Sequence, residues 1–473
     1  MPIFSLAAAE IFVLGMILFI TLVDAFFNKN NKKFVLYFLT QATLVISFII
    51  SACQFHSPCT ISFEGQFILD PLACLLKCVI YLLAFLVFWY SRTYNNNNKI
   101  QTAEFYLLSL LSILGSMVLI SAASLLTLYL GLELLSLPLY ALVAIARRRA
   151  EGSEAAIKYF IMGALASGLL LYGMSLIYGM TGSLLLSDIA AANHTLDPSV
   201  FVLGLVLVIV AICFKLGAIP FHLWVPDVYE GAPTSVALYV ATIPKVAAFG
   251  MLCRLILQGM PTWNIEWQEI FMLLGALSLF GGNLMALVQT NLKRLLAYST
   301  IANVGFILIA LGMGSPHSAK SALIYLLVYV FTTAGVFGIL LLLSKAGIEA
   351  ETFEDLKGLN KRNSWLAFML CLLMLSMAGI PPLLGFDAKL LVIYHLMAMG
   401  KISMAIFALV MSVIGSYYYL RVIKYMYFDE PDVQTPVKIS WDLNCLISLN
   451  SLVMLALGIF PNVLFILTAG LFP

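Results

Sequence analysis

The stretch ICFKLGAIPFHLW, residues 212–224, sets a lysine, Lys215, between an uncharged apolar run and a Gly-Ala-Ile-Pro segment. Residues 201–212 carry no charge and suit a membrane interior. Pro220 has no backbone N–H and cannot continue an unbroken helix. The stretch therefore predicts a discontinuous membrane helix with an ammonium group beside its break.

Composition extends this setting to the whole chain. Of the 473 residues, 62% are hydrophobic and 10% are charged, whereas soluble domains carry about 25% charged residues. An apolar run of roughly 20 residues crosses a bilayer as a helix. We predict an all-α polytopic membrane protein, a single integral membrane domain over 1–473, with about fourteen transmembrane helices. The apolar runs lie near 3–26, 34–54, 69–90, 104–122, 124–145, 155–180, 201–224, 233–257, 268–289, 296–313, 319–344, 365–398, 403–425 and 442–470.

Fourteen lysines and arginines outside these helices fall in alternate loops or at their edges, which predicts the orientation of the chain. Cytoplasmic loops of membrane proteins collect positive charge. The loops 55–67, 181–200 and 258–267 contain neither residue and are predicted to face outward. The fourteen residues that place the opposite loops in the cytoplasm are Lys29, Lys32, Lys33, Arg92, Lys99, Arg147, Arg148, Arg149, Lys293, Arg294, Lys357, Lys361, Arg362 and Lys438.

Thiol labelling tests this orientation. We expect an impermeant thiol reagent to label Ser187→Cys strongly in intact cells, because 181–200 is predicted to face outward. Ser153→Cys, in the predicted cytoplasmic segment 147–154, should be labelled only after the cells are broken. The parent chain, with its own cysteines, sets the background. Strong labelling of Ser153→Cys in intact cells would reverse the predicted topology.

Patterns for chemistry on soluble substrates are missing from the sequence. There is no phosphate-binding glycine loop, nucleotide fingerprint or nucleophile elbow. The eight cysteines are scattered without metal-ligand spacing. We predict that the chain binds no metal and no nucleic acid. Cys53 and Cys59 flank an outer loop, and the sequence leaves open whether they form a disulfide.

Ionisable residues inside the apolar runs are the candidates for function. A charge at mid-bilayer costs about 2.5–3.5 kcal/mol on insertion scales, so such residues usually face a polar interior. Full burial lowers a lysine pKa by up to about 3–5 units, which lets the group load and release a proton. The alternative is a lysine that snorkels or stays paired with a carboxylate, and this alternative is favoured for Glu10 and Lys77. The intramembrane set is Glu10, Lys77, Glu133, Lys158, Lys215, Lys245 and Lys389.

Three of these lysines lie beside expected helix disruptions. Lys215 precedes Pro220, Lys245 directly follows Pro244, and Lys389 follows the GIPPLLG segment 379–385. Broken membrane helices expose backbone groups that are tolerated only where they are buried in protein or line a cavity. Glu133, in mid-helix, is the natural counter-charge. The pattern favours a site for moving ions over simple packing.

A faint internal repeat supports the same function. LGAIPFH (216–222) and MAGIPPLLGF (377–386) share a small-Ile-Pro core in the seventh and twelfth helices. An offset of five helices inverts the second unit in the membrane. Inverted repeats with discontinuous helices are typical of transporters. We predict discontinuous helices 7 and 12, with one repeat at about 104–257 and the other at about 268–425.

Longer stretches resemble a known family. They are FKLGAIPFHLWVPDVYEGAPTSVALYVATIPKVAAFG (214–250), LGLELLSLPLYALVA (130–144), KYFIMGALASGLLLYG (158–173), NLKRLLAYSTIANVGFILIAL (291–311) and GIPPLLGFDAKLLV (379–392). Together they are similar to the subunit N family of the proton-pumping NADH–quinone oxidoreductase, respiratory complex I. The resemblance implies fourteen helices with two inverted five-helix units. It also implies that protons are carried by the residues matching the family motif, which are Glu133, Lys158, Lys215, Lys245 and Lys389.

Two positions qualify the resemblance. Asn303 stands where a histidine is frequent among similar subunits, and an amide can relay hydrogen bonds but cannot hold a proton at neutral pH. His222 is similar to the family motif; it either admits protons to the path or anchors its loop by bonding the backbone.

The resemblance also implies partners and location. Other subunits of the complex, antiporter-like and small membrane subunits among them, would surround the chain in a bacterial inner membrane. NADH, FMN, iron–sulfur clusters and quinone would belong to those subunits and not to this one.

The competing class is a subunit of a multisubunit sodium/proton antiporter, which shares the fold. Antiporter relatives resemble MEGPTPVSALIH after the seventh helix, whereas this chain has VYEGAPTSVALYVATIPK (228–245). A purely structural scaffold would not need lysines beside helix breaks.

Overall fold

A computed structural model describes the chain except residues 1, 2, 27–31, 99, 101, 147, 148, 193–197, 345–348, 432–435, 438 and 473. Lys29, Lys99, Arg147, Arg148 and Lys438 of the orientation prediction lie outside the described residues. The described chain is almost entirely helical, with one antiparallel hairpin, β1 Thr60–Ser62 and β2 Phe67–Leu69.

Twenty-one α-helices follow one another in the described chain. A seven-residue π-helix, Cys253–Gly259, extends α11, and a 3-10 turn, Pro261–Trp263, leads into α12. The helices are α1 Ile3–Leu6, α2 Ala8–Phe26, α3 Lys32–Cys53, α4 Pro71–Asn97, α5 Ala103–Ile120, α6 Leu125–Val143, α7 Ala150–Thr181, α8 Leu186–Ala191, α9 Pro198–Leu216, α10 Trp224–Gly231, α11 Thr234–Leu252, α12 Asn264–Leu287, α13 Leu292–Leu311, α14 Pro316–Leu343, α15 Phe353–Leu356, α16 Leu359–Arg362, α17 Ser364–Ala378, α18 Leu384–Ala398, α19 Ile402–Tyr427, α20 Trp441–Ile459 and α21 Asn462–Leu467.

The membrane spans agree with the sequence prediction. Within the described residues, 13 helices are long and apolar enough to cross a bilayer. The remaining span is divided between α17 and α18, each 15 residues long, on either side of the break 379–383. The seventh span is also divided, because α9 ends at Leu216 and α10 begins at Trp224. The prediction of about fourteen helices with discontinuous helices 7 and 12 is confirmed.

The prediction that the helix is disrupted at Pro244 is wrong. Helix α11 runs unbroken through Pro244, and every one of its residues is buried. A proline removes one backbone hydrogen bond, but in membrane proteins neighbouring helices re-satisfy the freed group. Dense packing around α11 therefore holds the helix where local sequence favours a break.

The chain divides into two compact units. The first unit comprises 1–88, 98–216 and 231–267. Its most extensively packed helix pairs are α5 with α6 and α7 with α9. Gly131 permits the first approach, since a Cβ there would lie 2.7 Å from the backbone nitrogen of Leu119. Small residues allow membrane helices to pack this closely.

The second unit comprises 89–97, 217–230 and 268–473. Helix α14 packs against α13, α17, α18 and α20. An ionic cluster surrounds the first turn of α13. There the fully buried ammonium of Lys293 pairs with Glu349 at 3.0 Å and with Glu351 at 2.8 Å. Lys293 was predicted as a loop-edge residue, so its complete burial is a finding of the structure alone.

Candidate functional site

Lys215 occupies the last turn of α9 in the first unit and is 3% exposed. Its ammonium lies over the rings of Tyr140 and Tyr159, 5.6 Å from each centroid. Such cation–π contacts favour the ammonium form modestly, by about 2 kcal/mol when desolvated. Within the described part of the chain, Lys215 has no ion-pair partner within 4 Å. The group is thus buried with little compensation.

Lys245 projects from the middle of α11 and is 1% exposed. Its Nζ donates to the carbonyl of Leu216 at 2.7 Å and to that of Lys215 at 3.4 Å. These carbonyls lack intrahelical partners because α9 ends there, and a helix C-terminus carries partial negative charge. Lys245 therefore serves the break of the seventh helix, not a break of its own.

Glu133, on α6, is only partly buried. Its Oε1 accepts a hydrogen bond from Ser167 Oγ on α7 at 2.5 Å. The carboxylate is near enough to act on Lys215 electrostatically, but the two groups form no ion pair within 4 Å in the described residues. Glu133 thus acts on Lys215 through space, as the predicted counter-charge, while its carboxylate is hydrogen-bonded to Ser167.

Lys158 is placed differently from the other predicted lysines. Its side chain is 44% exposed, and its ammonium pairs with Glu154, one turn earlier on α7, at 2.9 Å. Exposed pairs at this spacing contribute only about 0.3–0.5 kcal/mol. It is the next residue, Tyr159, whose ring lies against Lys215.

Lys389 lies on α18 in the second unit and is 8% exposed. Its Nζ donates to the carbonyls of Met377 at 3.0 Å and Ala378 at 2.9 Å, in the last turn of α17. Gly379 ends that helix with a φ of 80°, in the left-handed region that favours glycine. A Cβ at Gly379 would lie 2.8 Å from the Lys389 side chain. Glycine is therefore needed both for the turn and for the approach of the lysine.

The two helix breaks share the same local arrangement. At each, a buried lysine binds the final carbonyls of a helix, and the chain then leaves that helix through a small-Ile-Pro segment. Each break also contains one cis X–Pro bond, Ile219–Pro220 in one and Pro381–Pro382 in the other. The sequence similarity between the two segments therefore corresponds to a shared geometry.

Asn303, on α13, is the centre of a hydrogen-bonded cluster in the second unit. Its Nδ2 donates to the Ser299 carbonyl at 2.8 Å, and its Oδ1 accepts from the Tyr325 hydroxyl at 2.8 Å. Asn303 and Lys389 together line two cavities, of about 20 and about 10 Å³. A cavity of about 10–15 Å³ or more can hold one water molecule. The larger one has that room, beside Tyr325 and Tyr329.

His222 lies within the break of the seventh helix and is partly buried. Its ring interacts with the backbone of Pro220, while its buried Nδ1 makes no hydrogen bond of good geometry. The contact with Pro220 fits a loop anchor, and the free nitrogen leaves capacity for a further donor.

Two buried ion pairs of the first unit escaped the sequence prediction. Arg254, in the π-helix, bonds both oxygens of Asp70, at 2.6 and 2.7 Å. The sequence signal was an arginine in the apolar run 233–257, where Lys245 is the other charged residue. Glu10 and Lys77 form the other pair. A structural role, snorkelling or paired with a carboxylate, was favoured for them, but the sequence did not name them as each other's partner.

The described residues contain neither a metal-binding cluster nor a disulfide between Cys53 and Cys59. No group of three or more His, Cys, Asp or Glu side chains among them is arranged to hold a metal ion. Cys53 and Cys59, whose pairing the sequence left open, are both free thiols.

Two membrane helices are broken, and a buried lysine binds the carbonyl end at each break. This arrangement defines the class of antiporter-like membrane proteins. The NADH:quinone oxidoreductase/Mrp antiporter transmembrane family matches residues 122–415. NADH-quinone oxidoreductase subunit N of Ruthia magnifica is 46% identical, covering 99% of this chain and 97% of its own. Subunit N of Coxiella burnetii is 44% identical, covering 99% and 98%. This chain belongs to the NADH-quinone oxidoreductase subunit N family.

Solved structures agree with the fold. A chain of respiratory complex I from Thermus thermophilus, determined with bound aureothin, is 33% identical, with a TM-score of 0.83 and coverage of 96% of this chain and 98% of that one. A chain of the Mrp complex from Dietzia is 20% identical with a TM-score of 0.85, covering 99% and 96%. That second likeness shows the fold alone. The protein is a multi-pass membrane protein, as predicted.

Proposed function

We propose that this chain is the proton-translocating membrane subunit N of an NADH–quinone oxidoreductase and couples electron transfer from NADH to quinone with proton transport. The observation that carries the mechanism is the pair of buried lysines, Lys245 and Lys389, each bound to the carbonyl end of a half-helix. Near-full-length identity of 46% to subunit N sequences supports the assignment to this complex.

The lysines are suited to exchange protons because opposing forces act on them. Burial disfavours the ammonium form, whereas the partial negative charge of a helix end favours it. A small change in either influence is enough to load or release the proton. Lys215 and Lys245 also lie close enough to interact electrostatically, so a proton held on one disfavours a proton on the other.

Glu133 acts as the switch in this proposal. A carboxylate that moves toward Lys215 stabilises its ammonium form, and one that moves away favours release toward Lys245. The hydrogen bond from Ser167 holds Glu133 in the retracted arrangement. Lys158, half exposed and paired with Glu154, is assigned to the edge of the path, and His222 to its loop, where the free Nδ1 can admit a proton.

The source of energy lies outside this chain in the proposal. NADH, FMN, iron–sulfur clusters and quinone are assigned to other subunits of the complex. Membrane subunits of the antiporter-like and small types are the neighbours. This chain supplies the buried proton-binding groups and the two broken helices.

A subunit of a sodium/proton antiporter is the second candidate, supported by the shared fold. The two differ in what drives transport. Membrane vesicles with the assembled complex should acidify on NADH addition without sodium if the first function holds. Acidification that requires a sodium gradient and ignores NADH would establish the second. Neighbouring genes for complex I subunits, or for antiporter subunits, give an independent answer.

Lys245→Met tests the mechanism. We expect NADH-driven proton uptake to fall roughly a hundredfold, at the low end of what a positioned proton-transfer group contributes. Methionine retains much of the side-chain volume but cannot carry a proton. Uptake is measured in vesicles after the assembled complex has been verified on native gels. Lys361→Met is the control, because Lys361 is 56% exposed and, among the described residues, its ammonium pairs only with the exposed Glu430. Normal uptake in Lys245→Met would refute the role of this lysine.

A further inference from the structure

Asp387 is an acidic residue of the divided twelfth span that the proposed proton path does not use. It is the fourth residue of α18, which runs from Leu384 to Ala398. Its Cα lies roughly 16 Å along the helix from that of Ala398, at the end of the span. This length is about half of the hydrocarbon core of a bilayer, which is roughly 30 Å thick. Asp387 therefore lies near the middle of the membrane.

Nothing in the described part of the chain satisfies the carboxyl group of Asp387. Its Oδ2 is buried and accepts no hydrogen bond, and the side chain forms no ion pair within 4 Å among the described residues. The positive end of α18 favours a nearby negative charge, but no backbone N–H there donates to Oδ2. Lys389, two residues further on, directs its ammonium to the carbonyls of α17 instead. The carboxyl group thus lacks a donor that this chain does not supply.

Asp387 begins a line of outward-facing side chains on α18. Leu390, Tyr394 and Met397 are all exposed, and Asp387 is partly exposed. Steps of three, four and three residues place these four positions along one face of a helix. This face of α18 therefore presents a carboxyl group to the surroundings of the chain.

The break that precedes α18 is a second, independent observation. Pro381 and Pro382, between α17 and α18, are exposed. Non-helical backbone at membrane depth is tolerated only where protein covers it or where it lines a water-filled cavity. The break and the carboxyl group thus both require a neighbour other than lipid hydrocarbon.

Helix α19 provides the contrast within the same unit. Its exposed residues include Ile406, Leu409, Val413 and Tyr417, and no charged residue occurs in 402–420. Lipid tails can cover such a surface, whereas charged side chains within membrane spans are rare and almost always face protein or a water-filled cavity. The exposed faces of α18 and α19 therefore suit different neighbours.

We propose that the face of α18 formed by Asp387, Leu390, Tyr394 and Met397 is a docking surface for a membrane helix of another subunit. The partner helix presents a basic side chain to Asp387 and apolar side chains to the rest of the face. A charge-assisted hydrogen bond between the two helices satisfies the carboxylate and the cation together. The proposal rests on the proposed function, because it requires this chain to be one subunit of a membrane complex.

Photocrosslinking identifies the neighbour of this face. The photoreactive amino acid benzoylphenylalanine is placed at Tyr394 and, as the matched control, at Tyr417 of α19, which are 60% and 61% exposed. Membranes are irradiated, the complex is purified and the adducts are identified by mass spectrometry. We expect the probe at Tyr394 to join this chain to a second integral membrane subunit, and the probe at Tyr417 to react with lipid. The joined segment should carry a lysine, arginine or histidine within its span.

Two crosslinking results contradict the proposal. One is an adduct at Tyr394 with lipid alone, which would make this face of α18 lipid-exposed like that of α19. The other is a joined membrane segment that contains no basic residue, which would leave Asp387 without the proposed partner. Because both probes leave Asp387 in place, the experiment does not depend on a variant of the carboxyl group.

Asp387→Leu gives opposite results for the two kinds of neighbour. Against a basic partner, leucine leaves a buried cation without its carboxylate, so the fraction of complex that survives dilution into detergent should fall roughly tenfold or more. Against lipid, leucine is the more favourable residue, and survival stays the same or rises. Asp387→Asn, which keeps the size and one acceptor oxygen, should lie between the parent and Asp387→Leu. Asp429→Leu is the control, since it removes an acidic residue beyond the end of α19.

Native gels separate failure of this surface from failure of the proposed function. The gels are stained for NADH oxidation and probed for this chain. If the parent chain migrates with an NADH-oxidising complex but Tyr394 yields no protein adduct, only the docking surface is refuted. If the parent chain is absent from every NADH-oxidising complex, the proposed function fails.

Discussion

Replacing Lys389 by arginine should reduce NADH-driven proton uptake as severely as replacing it by methionine, roughly a hundredfold in each case. Arginine keeps the positive charge and can bond the Met377 and Ala378 carbonyls, but its pKa above about 12 prevents proton release. If Lys389 only hydrogen-bonds the last carbonyls of α17, the opposite result is expected: arginine is tolerated and methionine is harmful. Both variants are measured in reconstituted vesicles.

Assembly and a neighbouring lysine provide the controls for this experiment. Native gels must show intact complex in each variant, since loss of the helix-end contact can impair folding. Lys320→Arg is the matched control, because Lys320 is a lysine of the same unit whose ammonium binds a carbonyl, that of Phe465, outside both helix breaks. Full uptake with Lys389→Arg would reduce Lys389 to a fixed charge.

Replacing Glu133 by glutamine should lower proton uptake about tenfold, because it removes the carboxylate that stabilises the Lys215 ammonium through space. Glutamine can still accept the hydrogen bond from Ser167, so the local packing of α6 and α7 is retained. The measurement is the ratio of protons taken up to NADH oxidised, in membranes that contain verified complex. Glu133→Ala should give the same loss, with assembly less affected than pumping, since alanine favours the helix.

Ser167→Ala separates the effect of the Glu133 charge from the effect of the hydrogen bond that positions its carboxylate. This variant keeps the carboxylate and removes the hydrogen bond that holds it. We expect altered but substantial uptake, and therefore a smaller effect than in Glu133→Gln. An equal loss in both variants would show that position, rather than charge, is what Glu133 contributes. A normal ratio of protons taken up to NADH oxidised in Glu133→Gln would show that Glu133 does not act as the switch.

The positions of the broken helices were predictable from local chemistry. Gly217 and Pro220, and then Gly379 and Pro381, combine backbone freedom with a missing N–H, and neither property depends on the rest of the fold. The apolar runs were equally predictable, because the bilayer thickness requires a minimum run length. Pro244 shows the limit of this reasoning, since dense burial of α11 keeps that helix intact.

The site required the tertiary structure. Sequence placed Lys245 beside Pro244, whereas its ammonium binds carbonyls 29 and 30 residues earlier. Nothing local indicated that Glu10 meets Lys77, that Lys293 is fully buried, or that Lys158 stays half exposed. These facts depend on which helix faces are brought together.

Sequence alone thus determined the membrane setting, the number of spans, the two helix breaks and four of the buried lysines, because each follows from residue chemistry over a short window. Those lysines are Lys77, Lys215, Lys245 and Lys389. Only the tertiary structure decided what each charge contacts. An ammonium in a membrane protein can be satisfied by a carboxylate, a helix end or an aromatic face, and these are similar in energy. The choice among them is made by helix packing, which joins residues far apart in the chain.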